Sequence, residues 1–189
     1  MEIAIDLGGF AEFQALWRRA PELADRELHA AMEESLALLQ RETVEATPTG
    51  AHGLLRKSII AREPQRLSDG LLGVVDVEDA KSKYGSVLNY AVAVELGTKP
   101  HFPPIEPLID WVKAKLPIGQ VSSIKTRRVL KRKSLDEEAH RLAFLVARKI
   151  ASRGTEGAHM FERTMAAQRA QVQTIFDRAM RRIVEQLGG

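Results

Sequence analysis

The sequence is organised around the stretch Asn89-Tyr-Ala-Val-Ala-Val-Glu-Leu-Gly-Thr-Lys-Pro-His-Phe-Pro-Pro104. It sets one acid, Glu95, in an apolar run that ends at Gly97, and three prolines follow. Glycine can adopt a positive φ and proline fixes φ, so the stretch predicts a rigid corner. Tyr90 to Leu96 fits either a short strand or a helical turn.

On the N-terminal side of this corner the pattern predicts one long helix followed by strands. Residues 1–20 are predicted as an N-terminal arm that begins with a short strand and continues as a small helix at the helical spacing of Phe10 to Trp17, and residues 21–189 as a single domain. Pro21 suits the first turn of a long amphipathic helix that ends near Thr47. Residues 54–62 and 71–77 then predict two strands of an antiparallel hairpin.

On the C-terminal side the pattern predicts helices over 104–116, 134–153 and 158–187. Ser134 would cap the second of these, since three acids follow it at the positive end of the helix dipole. The third helix would be about 45 Å long at about 1.5 Å per residue, more than one small domain needs. Its apolar stripe therefore predicts an oligomer interface at Phe161, Met165, Val172, Phe176 and Ile183.

Charge is unevenly distributed along the chain, whose net charge is +3. Residues 1–98 hold 10 basic and 16 acidic side chains, and residues 99–189 hold 18 and 9. A predicted loop over 119–135 concentrates the basic side chains Lys125, Arg127, Arg128, Lys131, Arg132 and Lys133. This cluster could contact the phosphates of DNA or pair with the acidic half of a neighbouring subunit, and its lack of aromatics argues against base recognition.

No pattern in the chain predicts catalysis. There are no cysteines, no apolar run is long enough to span a bilayer, and the five histidines lack metal-ligand spacing. Glu95 could be an acid with a raised pKa, but we favour a structural carboxylate bonded to a backbone amide or an arginine. We therefore expect no enzyme, no catalytic or metal-binding residues, no cofactor and no membrane partner.

Three short segments follow one another in an informative order. The first is Thr47-Pro-Thr-Gly50 with Gly53-Leu-Leu-Arg-Lys-Ser-Ile59, the second is Tyr90-Ala91 with Val94-Glu-Leu-Gly-Thr98, and the third is Arg153-Gly-Thr-Glu-Gly-Ala-His-Met-Phe161. This order resembles the tail-completion, or minor tail, family of long-tailed bacteriophages over about residues 22–187. Three residues stand between Gly50 and Leu54 where the family pattern has one, and we find no counterpart for 1–20 or 119–135.

The resemblance implies an α+β fold, with a small antiparallel β-sheet packed against a long N-terminal helix, additional helices and a long C-terminal helix. It also implies a virion protein of the neck or tail, assembled in the host cytoplasm as a homo-oligomeric ring that is commonly a hexamer. Its partners would be itself, adaptor or stopper proteins, the tail terminator or tail tube, and packaged DNA in the channel. Tyr90, Glu95, Gly97 and Thr98 would form a structural corner. The alternative is a nucleic-acid-binding protein that uses Lys125 to Lys133.

Overall fold

The computed structural model describes residues 10–67, 70–79, 81–82, 85–116 and 132–188. Over these residues the fold is α+β, with a long N-terminal helix, a long C-terminal helix and short antiparallel strands between them. The predicted fold class is confirmed.

The helices and strands alternate irregularly along the chain. The helices are α1 (Phe10–Ala46), α2 (Leu54–Ser58), α3 (Val87–Leu96), α4 (Ile105–Lys115), α5 (Arg132–Arg153) and α6 (Met160–Gly188). The strands are β1 (Ile59–Ala61), β2 (Gln65–Leu67), β3 (Gly70–Leu72), β4 (Val75–Val77), β5 (Lys81–Ser82), β6 (Gly85–Ser86), β7 (Gly97–Thr98) and β8 (Thr155–Glu156).

The described strands pair two by two: β1 with β4, β2 with β3, β5 with β6 and β7 with β8. In the β2–β3 hairpin Gln65 lies opposite Leu72, and in the longest-range pair Gly97 lies opposite Glu156. Ladders this short contribute few hydrogen bonds, so the helices carry most of the burial.

The chain divides into two compact units. Unit 1 comprises residues 1–41, 61–75 and 165–189, and unit 2 comprises residues 42–60 and 76–164.

In unit 1, α1 is apolar on two sides. Ala31 and Leu38, seven positions apart on one face, share a buried cluster with Ile175 and Ala179 of α6. A neighbouring face carries Met32 and Leu36, whose side chains approach Gly73 so closely that a Cβ there would collide with them. Because two of its faces are buried, α1 has a wider buried surface than a single amphipathic stripe predicts.

In unit 2, the core lies between α4 and α5. Val112 of α4 is fully buried with Ala139 and Ala143 of α5, and the alanines let the two helices approach closely. A 2.7 Å ion pair joins Lys113 Nζ to Asp136 Oδ1 at one end of this contact. The helical predictions for 104–116 and 134–153 thus describe one packed helix pair.

Several predicted boundaries are wrong. Helix α1 runs unbroken from Phe10 through Pro21, so Pro21 lies inside it and the helix extends into the predicted arm. Likewise α5 begins at Arg132, two residues before the predicted cap Ser134. The strand predicted at the N-terminus lies outside the described residues.

The strand predicted over 54–62 is also wrong in its first half, which forms α2. Ser58 Oγ donates to the Leu54 carbonyl at 3.0 Å, and Gly53 adopts a left-handed φ of 62° before the helix. The chain becomes extended only at the β-branched pair Ile59-Ile60. The ambiguous segment after Tyr90 belongs to α3, where Val87 and Ala91 are buried four positions apart, which is helical spacing.

Candidate functional site

The Glu95 carboxylate lies at the start of α6 within unit 2. Glu95 Oε2 accepts a 3.2 Å hydrogen bond from the Phe161 amide, and Glu95 Oε1 accepts a 3.3 Å hydrogen bond from the Glu162 amide. The first amides of a helix have no intrahelical acceptor and carry its positive dipole end, so an anion is favoured there. Glu95 thus has the structural role that we favoured, bonded to backbone amides.

Backbone hydrogen bonds also join the end of α3 to the residues just before α6. Ala158 donates to the Val94 carbonyl at 2.7 Å, and His159 donates to the Glu95 carbonyl at 3.1 Å. His159 has a positive φ of 49°, which is uncommon for a residue other than glycine. The end of α3 therefore fixes the turn that leads into α6.

Two glycines make the β7–β8 ladder possible. Gly97 (φ 74°) and Gly154 (φ 72°) both adopt left-handed backbone conformations. A Cβ on Gly97 would overlap the Thr155 carbonyl oxygen, and a Cβ on Gly154 would overlap the Thr98 carbonyl oxygen. The Thr98 and Thr155 hydroxyl oxygens lie 2.9 Å apart across the ladder. The predicted freedom of Gly97 is therefore required for strand pairing as well as for the turn.

The first of the three resembling segments reaches the same corner through Thr47 and Arg56. Thr47 Oγ1 donates to the Thr43 carbonyl at 2.6 Å and lies 3.1 Å from Sδ of Met160, the first residue of α6. Arg56 Nε donates to the Thr47 carbonyl at 2.8 Å, and Arg56 Nη2 donates to the Glu45 carbonyl at 3.3 Å. Arg56 thereby satisfies carbonyls at the end of α1, which otherwise lack donors.

Tyr90 connects the second segment to the first. Its hydroxyl oxygen lies 3.6 Å from the position that a Cβ on Gly50 would occupy. The residue as a whole is half exposed, yet desolvation raises the pKa of its phenol above the usual 10.0. We infer that its hydroxyl end is the shielded part of the side chain.

We call this assembly of Thr47, Arg56, Tyr90, Glu95 and the residues of the β7–β8 ladder the corner. The structure brings all four predicted corner residues, Tyr90, Glu95, Gly97 and Thr98, into it. Both oxygens of Glu95 accept amide hydrogen bonds, so its chemistry is that of a helix cap. His159 and Met160 belong to the third resembling segment, but no local pattern indicates their contacts, because each depends on a neighbour more than sixty positions away.

The predicted basic cluster lies mainly outside the described residues. Lys125, Arg127, Arg128 and Lys131 belong to the undescribed range 117–131. Arg132 and Lys133 form the first two positions of α5. The cluster stays a prediction.

The predicted interface residues differ in how far their side chains are exposed. Met165 is 56% exposed and is open to a partner, whereas Ile183 is 6% exposed. Val172 and Phe176 are partly buried against the α1–α6 cluster. Phe161 is half-buried at the corner. The helical period is thus explained largely by packing within unit 1, and Ile183 is not available to a partner.

The described residues contain no group of three or more side chains suited to hold a metal ion. No helix among them is long and apolar enough to cross a membrane. Comparison of the chain with protein-family models, with curated proteins and with solved structures finds no match.

Proposed function

We propose that the chain is a structural virion protein of the phage neck or tail. It would form a homo-oligomeric ring of six copies that joins or completes the tail at its head-proximal end. The observation that supports this proposal is the corner itself. The three segments that resemble the tail-completion family are far apart in sequence, and they meet in one hydrogen-bonded arrangement.

This convergence supports the resemblance because the matched residues are those that hold the corner. Glu95 caps α6, Gly97 and Gly154 permit the β7–β8 ladder, and Arg56 donates to the Thr47 carbonyl. A chance likeness of three short strings would have no reason to select residues that contact one another. The corner therefore supports the ordered likeness as a structural unit.

Exposed apolar side chains support assembly with other subunits. Met165, Met180 and Val184 of α6 are 56%, 50% and 64% exposed. Exposed apolar surface on a helix is typical of an interaction site when it is concentrated on one element. The partners would be further copies of the chain, adaptor or stopper proteins, the tail terminator or tail tube, and packaged DNA. The role is structural and requires neither catalysis nor a cofactor.

Purified long-tailed particles from a host that carries this gene provide the test. We expect mass spectrometry to find the chain in the particles, and labelled antibody to mark the head-proximal end of the tail in electron micrographs. Particles that contain the chain at another place would contradict the joining role. Complete, infectious particles from a host with the gene deleted would contradict the whole proposal.

The second candidate is a nucleic-acid-binding protein, favoured by six basic side chains in the nine residues Lys125–Lys133. Its DNA affinity would fall steeply with salt, because lysines and arginines release counterions from phosphates. Substitution of Arg127, Arg128, Lys131 and Arg132 by alanine would remove most of that affinity. Unchanged binding by this variant would reject the candidate.

A further inference from the structure

The outward face of α5 carries a stripe of polar and apolar side chains within unit 2. At 3.6 residues per turn, one side of the helix presents Glu137, Glu138, Arg141, Phe144, Leu145, Arg148 and Lys149. Glu138 is half-buried and the others are exposed. The opposite side presents Ala139, Ala143 and Ala147, all fully buried. We call the exposed set the α5 stripe.

The middle of the α5 stripe is apolar and aromatic. Phe144 is 46% exposed and Leu145 is 51% exposed. The Phe102 ring packs beside Phe144 with centroids 6.1 Å apart and planes tilted by 59°. Phe102 is itself 54% exposed, so this aromatic pair remains open to solvent. Large apolar side chains grouped in this way are costly on a surface unless something covers them.

The ends of the α5 stripe carry opposite charge. Glu137 and Glu138 lie at its N-terminal end, and Arg148 and Lys149 lie at its C-terminal end. In the described part of the chain no ion pair involves any of these four side chains. The neighbouring acid Asp136, in contrast, pairs with Lys113 of α4.

We propose that the α5 stripe binds the α5 stripe of a second copy of this chain, with the two helices antiparallel. Rotation by 180° about the middle of the stripe places Glu137 and Glu138 opposite Arg148 and Lys149 of the second copy. The same rotation places Arg141 opposite Leu145 of the second copy, one position from the Phe144 ring, where a cation–π contact is favourable. The helix axes would lie about 8–10 Å apart, as in ordinary helix packing.

The order of charges selects a second copy over other partners. Nucleic acid would require one sign of charge along the stripe, and the two glutamates repel phosphate. A stripe that is acidic at one end, basic at the other and apolar between them is complementary to itself in the antiparallel direction. A two-fold contact of this kind uses the same surface on both copies.

The pairing goes beyond the proposed ring. Ring closure needs head-to-tail contacts between two different surfaces, whereas a two-fold contact closes after two copies. The α5 stripe would therefore join copies in pairs whether or not the ring exists. The single helix face involved is small, so we expect a reversible, salt-sensitive dimer.

Charge reversal tests the pairing in the full-length chain. In sedimentation equilibrium at low salt, we expect Arg148→Glu with Lys149→Glu to weaken dimerisation by about tenfold or more, because each change acts twice across the axis. Glu137→Arg with Glu138→Arg should act similarly. An equimolar mixture of the two variants should recover dimerisation, because each stripe is then opposite in charge to the other. Lys57→Glu with Arg163→Glu, an equal charge change at exposed positions outside the α5 stripe and away from Met165, Met180 and Val184, is the matched control.

A single cysteine distinguishes the two-fold contact from a ring contact. The chain has no cysteine, so Leu145→Cys introduces one thiol close to the proposed axis. We expect oxidation to give a covalent dimer of this variant and far less dimer of Arg169→Cys. A head-to-tail ring would not bring identical positions together.

Three outcomes would overturn the proposal. The wild-type chain could remain monomeric at low salt and high protein concentration. The charge-reversal variants could associate as the matched control does, or their mixture could fail to recover dimerisation. The variant with Arg148→Glu and Lys149→Glu could retain its mass while losing affinity for a DNA duplex, which would assign the stripe to nucleic acid. None of these results bears on the presence of the chain in virions, so the proposed function can stand or fall separately.

Discussion

Glu95 and Phe161 stand 66 positions apart in the chain, and a 3.2 Å hydrogen bond from the Phe161 amide to Glu95 Oε2 joins them. Helix caps are usually supplied by a residue immediately before the helix. Here the residue in that place is His159, whose backbone is left-handed, and the capping carboxylate arrives from the end of α3. The start of α6 is therefore held by a distant part of unit 2.

Removal of the Glu95 carboxylate should destabilise the fold. Glu95→Ala leaves two amides without an acceptor, and we expect a loss of about 1–2 kcal/mol in the free energy of unfolding. Glu95→Gln keeps an acceptor and loses the charge, so we expect about half that loss. Urea denaturation measures both. Glu63→Ala, at an exposed loop position, is the control, and an equal midpoint for it and Glu95→Ala would contradict the capping role.

Four glycine-to-alanine variants should separate backbone strain from collision. Gly70→Ala meets nothing within 4 Å and should be nearly neutral. Gly53→Ala also meets nothing but has a φ of 62°, so we expect a loss of about 1–2 kcal/mol. Gly97→Ala and Gly154→Ala add a collision with a backbone carbonyl, and both should lose more than about 2 kcal/mol. Unfolding free energies in this order would support the corner, and equal losses at Gly53 and Gly97 would contradict it.

The stability of unit 1 should depend on pH through Glu27. A 2.7 Å hydrogen bond from Arg182 Nε, aided by Arg26, lowers the pKa of Glu27 below its ordinary 4.5 against the opposing effect of burial. A lowered pKa in the folded state gives stability that is complete above the ordinary value and is lost as pH falls through the lowered one. We expect Arg182→Met to remove part of the stability difference between about pH 6 and about pH 3.5.

The control for this pH effect is Arg181→Met, which removes an exposed neighbouring arginine. Urea midpoints at the two pH values should show the wild-type difference in this variant. A difference for Arg182→Met that equals the wild-type value would show that the pair makes no contribution to acid stability.

Met165 and Ile183 should respond differently to truncation, although both belong to the same predicted stripe. Ile183→Ala opens a cavity in unit 1, and we expect a loss of about 2–5 kcal/mol. Met165→Ser removes an exposed side chain, so its unfolding free energy should change by less than about 0.5 kcal/mol. If α6 forms subunit contacts, light scattering should show weaker assembly for Met165→Ser. A large loss of stability for that variant would contradict the exposure of Met165.

The sequence predicted what depends on local pattern. The periodicity of α6 and the sharp stop at Gly97 follow from spacing and from glycine chemistry, and both are found in the structure. The structural role of Glu95 was also predictable, because a lone acid in an apolar run must find a donor.

What local pattern could not give is the identity of distant partners. No sequence pattern near Glu95 indicates a contact with Phe161, and none near Thr47 indicates a contact with Met160. Tertiary packing brings these segments together. The segment that starts at Leu54 was predicted as a strand, but burial of Leu55 and Ser58 favours a helical turn. Burial similarly favours a helix over a strand in α3, because Val87 and Ala91 are both buried. In each case packing overrode a weak propensity.

The β7–β8 ladder brings Thr98 and Thr155 side by side, so the two ends of the 56-residue segment between them are held close together. Segments whose ends are held together in this way can be lengthened, shortened or exchanged with little cost in loop closure. Helices α4 and α5 would then behave as an insertion whose two ends are held by the β7–β8 ladder. Related chains should differ most in the length of this insertion. Foreign domains should be tolerated there as long as Gly97 and Gly154 are kept.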